Sequence, residues 1–138
     1  MRHESFVQTI ADRLGCDVQR ADAVLYAVLQ ELRDRITPKE ARDVAAQLPT
    51  KIKRLWLEND HPDRVVRRMH ESEFLGRVRR RALLPDDEEA RRAVLVVFAA
   101  LQTQLGSATG TEGEAWDIFS QLPKDLKLLW LAAGAHHK

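Results

Sequence analysis

A chain of 138 residues with 44% hydrophobic side chains is long enough for one compact domain and too apolar for global disorder. Its 22 basic and 21 acidic residues leave a net charge of +1, which argues against a protein drawn to nucleic acid or membrane surfaces by bulk charge. The single cysteine, Cys16, excludes an intramolecular disulfide, and the longest apolar run, residues 93–101, falls far short of the about 20 residues that a membrane span requires.

The first residues run straight into an amphipathic pattern, so no secretion signal is expected and the cytoplasm is the expected compartment. Phe6, Val7, Ile10 and Leu14 recur at helical spacing, and Gly15 supplies the left-handed conformation that closes a helix. Asp17 then caps a helix in which Ala21, Val24, Leu25, Val28, Leu29, Leu32 and Ile36 form one apolar stripe over about five turns. Thr37, Pro38 and Glu40 spell a capping box with proline in the first turn, starting a short helix over 38–47. Pro49, expected at the first helical position, restarts the chain, and Ile52, Leu55, Trp56 and Leu57 define a fourth helix that fades at 58–62.

Residues 63–84 also read as helical, but on two faces. At 100° per residue Val65, Val66 and Met69 point away from Phe74, Leu75, Val78 and Ala82, so a connector helix over 61–72 is expected to dock separately. Asp86, Asp87, Glu88 and Glu89 place negative charge at the next helix start, where the macrodipole favours it. There Ala90, Val94, Val97, Phe98, Leu101 and Leu105 repeat Ala21, Leu25, Val28, Leu29, Leu32 and Ile36 at an offset of 69. A glycine-containing loop over 106–113 follows, then two further helices over 114–121 and 123–133. No stretch shows the sustained alternation that a strand needs.

The pattern is duplicated. Residues 47–57 and 121–131 agree at seven of eleven positions, namely Gln47, Leu48, Pro49, Lys53, Leu55, Trp56 and Leu57 with their counterparts at an offset of 74. His3-Glu4-Ser5-Phe6 likewise returns as His70-Glu71-Ser72-Glu73-Phe74. The expected fold is all-α: two copies of a four-helix unit, residues 1–60 and 73–138, packed about a pseudo-twofold axis and linked by the helix over 61–72, with side-by-side stacking as the alternative. A repeat of this size buries only about 60% of its unfolded surface and is marginal alone, so the two should fold as one domain.

An initial phenylalanine-bearing helix, an alanine- and leucine-rich helix, Glu-Ala, Gln-Leu-Pro and Leu-Trp occur in that order twice. In the first copy they are Phe6, 21–32, Glu40-Ala41, Gln47-Leu48-Pro49 and Leu55-Trp56; in the second, Phe74, 90–101, Glu114-Ala115, Gln121-Leu122-Pro123 and Leu129-Trp130. This pattern resembles the bacterial domain of unknown function 2267 family over nearly the whole chain. The resemblance implies a small helical cytoplasmic protein with no assigned activity and supplies no catalytic residues.

The remaining features are weighed on their chemistry. The Gln-Leu-Pro turns are best explained as joints, and Trp56 and Trp130 as core anchors that each bury about 150–250 Å². Residues 64–81 hold seven arginines against Glu71 and Glu73, a local charge of +5. Arg77 and Arg80 are expected opposite the apolar stripe with Arg79 and Arg81 flanking it, a face that could contact phosphates. Against that, no aromatic interleaves Arg77, Arg79, Arg80 and Arg81, and four acids follow at 86–89. Cys16 has no histidine near it in sequence, and His3, His61, His70, His136 and His137 lack metal-site spacing. No catalytic residue, cofactor, metal or small-molecule substrate is indicated. The expected function is a non-enzymatic interaction or scaffold module that binds a protein partner or itself through Val65, Val66 and Met69. Nucleic-acid association through Arg77, Arg79, Arg80 and Arg81 is the alternative.

Overall fold

A computed structural model describes residues 3–106 and 113–134. The described residues form eight helices and no strand: α1 (His3–Leu14), α2 (Val18–Arg33), α3 (Pro38–Ala45), α4 (Thr50–Leu57), α5 (Glu71–Ala82), α6 (Asp87–Gln104), α7 (Gly113–Phe119) and α8 (Lys124–Gly134). The all-α expectation holds. Residues 107–112 of the predicted loop, and His136 and His137 at the end of the chain, lie outside the described residues.

The helix starts follow from local hydrogen bonding. Asp17 accepts from the Arg20 N–H at 2.7 Å, and Asp86, 69 positions on, accepts from the Glu89 N–H at 2.8 Å. Thr37 and Glu40 close the predicted capping box in both directions, at 3.1 and 2.9 Å. Gly15 and Leu83 both take a left-handed conformation, φ +70° and +55°, after α1 and α5. The start of α5 is different, because its cap comes from elsewhere in the fold. His70 makes no side-chain cap, and Asp125 of α8 accepts from the Glu71 N–H at 2.7 Å instead. Burial pushes the Asp125 carboxyl up, but the Glu71 N–H and the neighbouring His70 outweigh it and hold the carboxyl below its ordinary range.

One hydrophobic core runs through the molecule. The helix α2 packs on α1, α4, α5 and α6, while α6 packs on α1, α2, α5 and α8. Thus α1 and α5 each rest on both long helices. Rings of α5, α6, α7 and α8 stack in series through Phe74, Phe98, Trp130 and Phe119, with centroids 6.2, 5.3 and 4.4 Å apart. Trp56 is fully buried and donates its indole N–H to the Ala41 carbonyl at 2.7 Å, tying α4 to α3.

The two Gln-Leu-Pro joints carry the same backbone bonds. Gln47 N–H donates to Val44, Leu48 N–H to Ala45 and Lys53 N–H to Pro49; Gln121, Leu122 and Lys127 repeat the set on Ile118, Phe119 and Pro123. Pro49 occupies the capping position one residue outside α4, not the first helical position expected, because its carbonyl accepts the first helical bond while its ψ of 153° is extended. The carbonyls of Trp56 and Trp130 are also satisfied from matching positions, by Arg33 at 2.9 Å and Gln102 at 2.8 Å.

The predicted connector helix over 61–72 does not form. Asn59 turns the chain with φ +64°, and residues 64–70 run without helical bonds until α5 begins at Glu71. Two physical causes oppose a helix here. Pro62 and the adjacent β-branched Val65 and Val66 disfavour it, and the chain is held instead by long-range bonds: Arg67 N–H to the Asp34 carbonyl at 3.1 Å, and Arg64 Nη1 to the Ile36 carbonyl at 2.8 Å. The two-faced apolar pattern is explained by the absence of a single helix.

Candidate functional site

The end of α2 carries charge on its buried side. Glu31 lies seven residues after Val24 and three after Val28, and Arg35 lies seven after Val28, so both continue the apolar stripe. Both are buried, together with Gln30 and Arg33. Glu31 is reached from α5, where Arg77 and Arg81 stand one turn apart on the face toward α2. Arg77 Nε donates to Glu31 Oε1 at 2.7 Å and Arg81 Nη1 to Oε2 at 3.0 Å, while Arg35 Nη2 approaches Oε1 only to 3.5 Å. The Arg81 guanidinium also stands 5.8 Å over the Tyr26 ring. Burial would raise the Glu31 pKa, but the hydrogen bonds from Arg77 and Arg81 hold it below the ordinary carboxylate range. Arg77 is raised by the same bond, and Arg35 is lowered because it is buried.

Next to this cluster the side chains of α2 secure the connector. Gln30 donates to the Leu55 carbonyl at 2.7 Å, and Arg33 donates to Trp56 and Glu58, closing the end of α4. Arg33 also pairs with Asp34 at 2.9 Å, and Arg64 pairs with Asp60. Between the end of α2 and the connector lies a groove of about 430 Å³, bordered by Arg33, Arg64, Arg67 and Arg77, with Asp34 and Asp63 as its acids.

The predicted arginine face is therefore divided. Arg77 and Arg81 turn onto Glu31, so Arg77 does not stand opposite the apolar stripe; Arg79 pairs with Asp87 at 3.1 Å. Arg80 alone of the four is exposed with no ion pair among the described residues. The predicted partner patch is divided too. Val65 is 80% exposed, Val66 is half-buried, and Met69 packs against the core. Glu31, Arg33, Arg35, Arg64 and Arg67 were not anticipated as a group. For Glu31 and Arg35 the signal was present, as two charges at heptad spacing on an apolar stripe.

Burial raises the Cys16 thiol above its ordinary value, with Asp17 adding to the effect, so it is not poised as a nucleophile. Among the described residues no three His, Cys, Asp or Glu side chains are grouped to hold a metal ion. None of the described helices is long and apolar enough to cross a membrane.

The chain matches the family model described as uncharacterized conserved protein (DUF2267) over residues 3–129. The chain belongs to the DUF2267 family. The matched region takes in both halves of this DUF2267 protein, including the connector and all the arginines of the groove. No curated protein matches the chain.

Proposed function

We propose that this DUF2267 protein is a non-enzymatic, cytoplasmic interaction module that engages a protein partner, or a second copy of itself, through the connector between α4 and α5. The observation that carries the reading is Val65, a branched apolar side chain 80% exposed on the non-helical connector, where burial against a partner is the main energy available to it. The backbone supports the same reading. Among the described residues the N–H groups of Val65, Val66, Arg68 and Met69 make no hydrogen bond, which leaves them available to a partner. The two helical halves, which we take as copies of one unit, act as the scaffold that presents it. Nucleic-acid association ranks behind this reading, because only Arg80 of the four arginines is exposed without an ion pair among the described residues, so they form no continuous phosphate-binding face.

Substituting Val65→Ser tests the proposal, since it leaves the Met69 packing untouched. Co-purifying proteins and oligomeric state should both be compared with the wild type, and far-UV circular dichroism should match. Loss of a co-purified protein or of self-association is the expected result. An identical co-purified set at an identical oligomeric state, from a variant with wild-type dichroism, overturns it.

A further inference from the structure

Charge does not balance around the end of α2. Arg35, Arg77 and Arg81 converge on one carboxylate, Glu31. The Arg35 side chain is wholly buried, touches Glu31 only at 3.5 Å, and has Nε and Nη1 without any hydrogen-bond partner. A guanidinium taken from water without full compensation is costly, so a counter-ion is expected within reach of it. Arg35 does not line the groove, but Arg67 and Arg77, which act on its charge, do. Arg64 borders the groove with a side chain only 9% exposed, commits Nε to Asp60 and Nη1 to the Ile36 carbonyl, and keeps Nη2 unpartnered. Arg67 also borders it and has no side-chain partner among the described residues. Arg77 meets Glu31 through Nε alone, and its side chain is 36% exposed. Asp60 and Glu31 hold Arg64 and Arg77 from outside the groove, and Asp34 holds Arg33, so the surplus positive charge comes from Arg35 and Arg81, which share Glu31 with Arg77.

We infer that the groove between the end of α2 and the connector binds the phosphate group of a small phosphate monoester through Arg67 and Arg77, with the buried Arg64 guanidinium adding positive charge behind them. Planar guanidinium forks match tetrahedral oxyanions in paired hydrogen bonds, which a single carboxylate-sized contact does not exploit. A volume of about 430 Å³ exceeds one phosphate and suits a compact metabolite, whose hydroxyls Asn59 and Asp63 on the same wall can bond. Arg67 and Arg77 are close enough to lower the pKa of Arg35 further, so an anion between them also relieves the buried charge behind. This inference does not rest on the protein-partner reading, but Val65 lines the same groove, so a partner seated on Val65 and the anion would compete for it.

Thermal melts and calorimetric titrations of the full chain, in chloride buffer of matched ionic strength, provide the test. The probes are inorganic phosphate, glucose 6-phosphate and a phosphoserine peptide. At least one phosphate species should raise the melting temperature above the chloride control and give a saturable heat. Arg67→Gln, at an exposed position that cannot unfold the chain, should weaken that binding about tenfold or more. Arg35→Met should melt above the wild type in chloride alone and gain less from the anion. Tightest binding of glucose 6-phosphate supports the metabolite class, and tightest binding of the peptide overturns that class in favour of a phosphorylated partner. Absence of any shift or heat with all three probes, or unchanged binding in Arg67→Gln, overturns the site itself.

Discussion

Glu31 holds one negative charge at the point where three guanidiniums converge, and two of them come from the other half of the chain. Removing it leaves Arg35 buried with no carboxylate in contact. Glu31→Leu is expected to cost about 3–5 kcal/mol, the usual penalty of breaking a buried pair from one side. The double substitution Glu31→Leu with Arg35→Leu should recover most of that loss, since Arg77 and Arg81, each about one-third exposed, can turn to water. Denaturant unfolding of the wild type, Glu31→Leu, Arg35→Leu and the double variant measures the coupling, and a Glu31→Leu variant as stable as the wild type would refute the role. The pH dependence has a defined sign. Because the folded pKa of Glu31 lies below its ordinary 4.5, its ionised form contributes fully above that value. The contribution is lost as pH falls through the lower folded value. The stability gap between wild type and Glu31→Gln should therefore be constant at neutral pH and shrink below pH 4.5, and a gap that widens in acid would contradict the assignment.

At the scale of the element, α1 and α5 end alike but with different chemistry. Gly15 takes its positive φ at no steric cost, whereas Leu83 takes φ +55° with a Cβ and an 81% exposed side chain. Leu83→Gly removes strain and loses almost no packing, so it should stabilise the protein by about 1 kcal/mol; a lower unfolding midpoint would be the contrary result. The same elements show what could be read before the structure. The caps Asp17, Thr37 with Glu40, and Asp86 were legible because donor and acceptor lie three residues apart. The apolar stripe of α2 was legible because burial follows the helical period. The connector was not, since the bonds that hold it in place join Arg67 to Asp34 and Arg64 to Ile36, far apart in sequence. The cap of α5 escaped for the same reason, being lent by Asp125 from 54 positions away. Of the site, the sequence showed the density of arginines but not their pairing, which depends on α5 lying across α2.

The whole molecule poses the question of whether two halves make one cooperative unit. Each long helix is wedged between the first helices of both halves, and the bond from Arg77 to Glu31 crosses between them at a buried point. Neither α2 nor α6 keeps its buried face if the other half is removed, and a fragment of about 60 residues would bury only about 60% of its unfolded surface in any case. We therefore expect one two-state transition. The tryptophans allow each half to be followed separately: Trp56→Phe leaves Trp116 and Trp130 to report on the second half, while Trp116→Phe with Trp130→Phe leaves Trp56 to report on the first. Each variant changes the absolute stability, so the comparison is made within a variant, between its fluorescence and its far-UV dichroism. Coincident midpoints in both variants are the expected outcome, and fluorescence that unfolds apart from the dichroism in either would make the halves separate folding units. Coincidence also bears on the groove, whose walls come from α2, α5 and the chain between them: a ligand bound there stabilises both halves at once, and its addition should move both tryptophan signals by the same increment.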